Sequence, residues 1–161
     1  MQGDLVTVST TARRLTAAAL TTAAITAAVA VPASAADHRA PRPSVEISRV
    51  QYDSPGRDDR SNRSLNAEWV EIRNNTRRAV NLNGWTLKDE AGHTYTFHDY
   101  RLQGRASVRI HTGIGRDNRT DLYQDRRAYV WNNRSDTATL RNDHRRFVDD
   151  YSWGPRHGGR H

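Results

Sequence analysis

Residues 68–97 read EWVEIRNNTRRAVNLNGWTLKDEAGHTYTF, and the spacing of apolar residues in this stretch decides the fold class. Val70 and Ile72 fall on one side of an extended segment, with Glu71 and Arg73 on the other. That is the two-residue period of a half-buried strand. A polar run, Asn74-Asn75-Thr76-Arg77-Arg78, interrupts it, and Val80 and Leu82 then resume the same period. Asn83-Gly84 supplies the positive-φ geometry of a turn or bulge. Trp85 and Leu87 alternate with Thr86 and Lys88, Asp89-Glu90-Ala91-Gly92 signals a turn, and Tyr95 and Phe97 alternate with Thr94 and Thr96 beyond it. The arrangement predicts a hairpin whose aromatic and β-branched residues suit cross-strand pairing.

Outward from this block the same grammar continues. Val45 and Ile47 open a first strand that runs to Tyr52. Residues 53–67 form a long polar loop in which Leu65 and Ala67 are the apolar residues beyond Pro55. Residues 99–104 connect to a strand in which Ala106, Val108 and Ile110 face inward, while Ser107, Arg109 and His111 face water. Residues 112–127 are a second long polar stretch, with Leu122 and Tyr123 plugging one end of the domain. Tyr129-Val130-Trp131 reads as a short strand, and residues 137–141 pair with 146–152 across Asn142-Asp143-His144-Arg145. No helical periodicity occurs outside the first 36 residues. Short strands punctuated by turns point to an all-β sandwich.

The block resembles the lamin tail domain. The residues that carry the resemblance are Glu68-Trp69-Val70-Glu71-Ile72-x-Asn74, Leu82-x-Gly84-Trp85-x-Leu87-x-Asp89 and Tyr95-x-Phe97. It continues through Leu102, Gly104, Val108, Ile110, Gly113, Trp131-Asn132-Asn133 and residues 136–140, so it covers about residues 45–153. The sequence departs at His98 and Gln103, where the family often has proline, and at Arg145, where the last hairpin usually turns on glycine. The resemblance implies an immunoglobulin-like β-sandwich. It also implies a non-catalytic interaction module of the kind that contacts DNA, chromatin or other proteins, and that in bacteria accompanies secreted nucleases and hydrolases.

Ahead of the domain, Arg13-Arg14 precede an uncharged Ala/Thr/Val/Leu run over residues 15–31, and Ala33-Ser34-Ala35 gives a small-residue cleavage pattern. Residues 1–36 therefore read as a signal peptide, and the mature protein as secreted and extracellular. The paired arginines raise a twin-arginine route, but Leu15-Thr16 stand where a stronger apolar pair would follow them, which favours general secretion. Residues 37–44, DHRAPRPS, read as a linker, 45–153 as the domain and 154–161 as a flexible tail. With residues 1–36 removed, the loss of Arg13, Arg14 and Asp4 from totals of 25 basic and 18 acidic residues leaves a net charge of +6. There are no cysteines, so no disulfide, lipid-anchor or thiol chemistry is available.

Catalytic signatures are absent: the sequence has neither a G-x-S-x-G elbow nor an H-E-x-x-H helix. His93, His98 and His111 are the only catalytic candidates, and they lie away from any recognisable partner motif. Glu68 and Glu71, at odd spacing, fall on opposite sheet faces and do not form an acid–base pair. Asp53, Asp58 and Asp59 share one loop and Asp117, Asn118 and Asp121 another, but interleaved arginines favour solvated loop charge over calcium. No metal or other cofactor is called for.

The arginines carry the strongest functional signal. Arg73, Arg77 and Arg78 surround one turn, Arg101, Arg105 and Arg109 lie on another connector and strand, and Arg141, Arg145 and Arg146 flank the last turn, with Arg126 and Arg127 between. Arg73, Arg77, Arg78, Arg105, Arg109, Arg141, Arg145 and Arg146 form the candidate nucleic-acid-binding set; if they converge, they attract DNA or another polyanion by counterion release. Trp69, Trp85, Trp131 and Trp153 fall at strand positions and read as core or family-signature residues, with no aromatic residue interleaved among the arginines to stack on bases. The alternative role is a cell-wall or surface-associated structural protein that holds a glycan or another protein. No membrane insertion is expected once the leader is removed.

Overall fold

The computed structural model describes residues 42–155, so the expected signal peptide and the tail beyond Pro155 lie outside the described residues. Among the described residues, ten strands make three sheets, accompanied by one short helix. The first sheet has the order β1-β2-β7-β8, built from Val45–Gln51, Trp69–Asn74, Ser107–His111 and Asp121–Tyr123. The second has the order β10-β9-β4-β5, from Phe147–Trp153, Asp136–Arg141, Thr86–Lys88 and Thr94–Thr96. A two-stranded ribbon, β3 (Val80–Asn81) with β6 (Arg101–Leu102), extends the β4–β5 hairpin. The chain is thus all-β, with the helix α1 (Asn62–Ala67) as its one helical element among the described residues.

The two-residue period places the core as the sequence predicts. In β2, Val70 and Ile72 are fully buried while Arg73 is exposed, and in β7 Val108 and Ile110 are buried against them. Leu87 and Leu140, paired across β4 and β9, form the facing layer, and Phe97 and Leu102 fill the space beneath the ribbon. Each such side chain contributes about 1.5–3 kcal/mol by leaving water, which matters in a chain without crosslinks. Antiparallel β4 and β5 pair Thr86 with Thr96 and Lys88 with Thr94, and Gly84 takes φ 77 at the bend before β4. At one edge the Ile47 N–H donates to Asp149 Oδ2 at 2.7 Å, and Tyr52 stacks on Trp153 at 4.8 Å. β1 and β10 therefore lie side by side, which joins the two sheets.

Four features differ from the sequence reading. Residues 62–67 are a helix inside the first polar loop; Ser61 caps it by accepting the Ser64 N–H, Leu65 is buried, and the Asn62 and Asn66 side chains donate to the Ile114 carbonyl. Six residues with one large apolar side chain show no period, so tertiary hydrogen bonds decide this turn and a half. Residues 129–131 are not a strand, because the Val130 N–H donates to the Glu68 carboxyl at 2.9 Å instead of joining a ladder. Leu122 and Tyr123 do not plug an end; they belong to β8, which pairs with β7 in parallel. Trp69 lies on the outer face under the Arg109 guanidinium, 4.4 Å from the ring centre, so it is not core.

Both ends of β2 are closed by a buried polar side chain on the inward face, Glu68 just before it and Asn74 at its end. The Asn74 amide nitrogen donates to the carbonyls of Arg78, Gln103 and Leu102 at 2.8, 3.1 and 3.2 Å. Its oxygen accepts the Thr76 N–H and hydroxyl at 2.9 and 2.8 Å. One side chain thereby ties the β2–β3 loop to the β6–β7 turn. Replacing Asn74 with Ala strands several buried polar groups, each costing about 1–3 kcal/mol, and Asn74→Asp sets a carboxylate against three carbonyls. Both variants are expected to lower the urea midpoint by an amount equivalent to at least ~3 kcal/mol; midpoints unchanged from the parent protein contradict this role for Asn74.

Candidate nucleic-acid interface

Strand direction decides which loops share an end of the sandwich. Asn74 at the end of β2 pairs with Val45 at the start of β1, and Arg73 pairs with Ser107 at the start of β7. In the other sheet, Thr86 pairs with Arg141, and Arg141 with Phe147. Because Ile47 meets Asp149 and Tyr52 meets Trp153, β1 and β10 run the same way. The β2–β3 loop, the β6–β7 turn and the β9–β10 turn therefore emerge at the same end.

Most of the candidate arginines ride on these three connections, in two groups. In the first, Arg77 and Arg78 belong to the loop that Asn74 ties down, and the Arg105 N–H donates to the Thr76 carbonyl at 3.0 Å. Gly104 lets the two backbones touch: a Cβ there would sit 2.5 Å from the Arg77 carbonyl carbon. Arg73 flanks this group at the end of β2, exposed, with Glu46 as its cross-strand neighbour. In the second group, Arg145 and Arg146 occupy the β9–β10 turn, where the Asn142 side-chain oxygen accepts the Arg146 N–H at 2.9 Å. Arg141 Nη1 donates to the Arg145 carbonyl at 3.1 Å. Among the described residues, none of these seven arginines forms an ion pair with a carboxylate.

Arg109 is the exception. It lies mid-sheet on the outer face, with its Nε 3.3 Å from Glu71 Oε2 and its guanidinium over Trp69. Ser48 donates to the other Glu71 oxygen at 2.8 Å, so Glu71 is fixed and Arg109 with it. Arg109 does not join the arginine-bearing end. On these three connections the one acidic residue is Asp143, held by His144 at 3.0 Å, while Asp99 lies on the neighbouring β5–β6 connection. Arg105 and Arg145 adopt φ 65 and 60, a left-handed conformation that glycine would take without strain.

The sequence reading missed one aromatic residue. Phe147 is 57% exposed, directly follows Arg145-Arg146, and pairs across strands with Arg141. Its signal was present in the run Arg145-Arg146-Phe147, but alternation in residues 146–152 suggests a buried residue at either parity. The irregularity between Phe147 and Asp149 turns Val148 toward the core and leaves Phe147 outside.

The opposite end has different chemistry. A concavity of about 760 Å³ there is lined by Glu90, Asp136, Asp150, Tyr151 and Trp153 among others. Asp53 and Asp58 are bridged by the Asn133 amide at 2.9 and 3.2 Å, and Asp59 accepts the Ser61 N–H. The loop before β8 belongs instead beside the arginine-bearing end, where the Tyr100 hydroxyl donates to the Arg119 carbonyl. In it Asp117 accepts the Tyr123 N–H, and Asn118 accepts N–H donors from Thr120 and Asp121. The loop acids thus hold their own loops. His93 meets Asp89 at 2.6 Å, and His111 places its two ring nitrogens on the Asn66 carbonyl and Asp121 at 2.7 and 2.9 Å. Its partly buried, paired state differs from the water-facing position expected of it. No Ser or Thr hydroxyl is hydrogen-bonded to His93, His98 or His111 among the described residues.

The sequence profile of the Lamin Tail Domain family matches residues 38–155, which hold all ten strands and most of the chain. The chain belongs to the lamin tail domain family. A search of curated proteins finds no match to it. The family is immunoglobulin-like and non-enzymatic, and membership of it points to a binding or interaction module.

Glu68 is the most strongly perturbed carboxyl group among the described residues. It is fully buried; Oε1 accepts the Thr112 hydroxyl at 2.6 Å and the Val130 N–H at 2.9 Å. Oε2 has no partner, although the Trp131 N–H lies close enough to favour the charged form slightly. Loss of water pushes the carboxyl from 4.5 up to about 7. A value raised on folding means that the folded state favours the proton. The stabilising contribution is complete below about pH 4.5 and is lost as pH rises to about 7. The amount is on the order of 3 kcal/mol. Glu68→Gln keeps the acceptor without the charge. Relative to that variant, the parent protein is expected to lose stability between pH 5 and pH 8 in parallel urea melts; identical pH profiles contradict the assignment.

Proposed function

We propose that this lamin tail domain is an exported, non-catalytic module that binds nucleic acid or another polyanion through its arginine-bearing end. The observation that carries the reading is the placement of Arg77, Arg78, Arg105, Arg145 and Arg146 on three connections at one end, without carboxylate partners among the described residues. Unpaired guanidinium groups near one another repel, and a polyanion relieves that repulsion while releasing its own counterions. Arginine also presents a planar fork that matches phosphate or sulfate oxygens two at a time. The two groups rest on separate hydrogen-bond sets, which suits a polymer carrying many charges better than a single small anion. Support for export comes from the leader pattern of residues 1–36.

The test is a salt titration of duplex DNA binding by the full chain. If the five arginines each neutralise one phosphate, log Kobs against log salt has a slope of about −4 to −5. Replacing Arg77 and Arg78 together with Ala brings the slope closer to zero by about 2. Absence of binding at low salt, or a slope near zero, sinks the proposal. Export is read separately: the protein recovered from the medium is expected to begin at Asp37, and an intact Met1 terminus there contradicts leader removal.

A further inference from the structure

The outer face of the second sheet carries one row of side chains that general attraction to polyanions does not explain. At its arginine-bearing end, cross-strand pairing sets Phe147, Arg141, Thr86 and Thr96 side by side on β10, β9, β4 and β5. Neighbouring strands lie about 4.8 Å apart, so the row spans roughly 14 Å. Phe147 is the most exposed of the large hydrophobic side chains in the described residues, at 57%. Arg145 and Arg146 precede it in the chain, and the guanidinium of Arg141 reaches back to the same turn. An aromatic ring left in water among cations lacks a partner that offers both an apolar face and negative charge.

We propose that this row binds single-stranded nucleic acid, with an unpaired base stacking on Phe147 and its flanking phosphates held by Arg141, Arg145 and Arg146. This rests on the polyanion reading above and adds a ligand class to it. A sulfated glycan offers the charge but no aromatic face. A duplex offers charge, but its base faces are hidden inside the stack, and a four-stranded sheet bearing short threonines is too broad to enter a groove. Unpaired bases present their faces freely, and stacking on an aromatic residue tolerates any sequence. The threonine hydroxyls of Thr86 and Thr96 extend the row with groups that hydrogen-bond to phosphate or base edges.

The experiment compares Phe147→Ala, Phe147→Trp and the double variant Arg145→Ala/Arg146→Ala in the full chain. Three labelled probes are used: a single-stranded oligothymidine, a DNA duplex of equal length, and heparin. Because Phe147 is exposed, its replacement leaves the fold intact, and thermal melts check this. Phe147→Ala is expected to weaken oligothymidine binding by about tenfold, with duplex and heparin binding and all salt slopes unchanged. Phe147→Trp restores or strengthens the single-strand affinity. The arginine double variant weakens all three probes and flattens the slopes. If Phe147→Ala weakens no probe, or all three equally, the stacking proposal is overturned while the polyanion reading stands. If the parent protein binds none of the probes, both fall.

Discussion

The burial of two polar side chains at the ends of one interior strand constrains the rest of the domain. β2 turns Glu68, Val70, Ile72 and Asn74 toward the core, apolar in the middle and polar at both ends. A buried polar group must find partners or lose stability. Asn74 finds five, four on the loops that bridge the sheets at its end and one, the Leu102 carbonyl, at the end of β6. Glu68 finds Thr112 and Val130 at the other, and leaves one oxygen unmet. The apolar middle supplies driving force without direction, whereas the polar ends fix which loop goes where. For a chain with no disulfide, these bonds do what a crosslink does elsewhere: they hold irregular segments in one arrangement.

That constraint separates the chemistry of the two ends. Where Asn74 organises the loops, backbone groups are satisfied internally, and the side chains of Arg77, Arg78 and Arg105 are free to point outward. Where Glu68 organises them, carboxylates such as Asp53, Asp58, Asp59 and Asp136 are consumed in capping and bridging. A mixed-charge sequence thereby becomes a sandwich whose acids are largely engaged and whose end-loop arginines are not. Arg109 illustrates the contrast, since its partner Glu71 sits on the same flat sheet face and claims it.

Much of the fold was legible from residues 68–97, because a strand with one wet face writes its period into the sequence. Val70, Ile72, Leu87, Val108, Ile110 and Leu140 are buried where alternation puts them, and the strands on either side of the 89–92 turn signal form the expected hairpin. The misreadings fall where that period is absent. Helix α1 is too short to show one, β8 carries one large apolar residue in three, and Val130 gives its N–H to a side chain. Phe147 escaped because a bulge breaks alternation at the point where its face is decided.

Sequence alone determined the fold class, the family and the identity of the arginine-bearing turns, since all three are local patterns of polarity and spacing. Which turns share an end, which arginine is claimed by a carboxylate, and which aromatic ring stands in water were decided only by tertiary structure. The physical reason is that strand direction and register set these relations between residues many positions apart, and no local pattern encodes them.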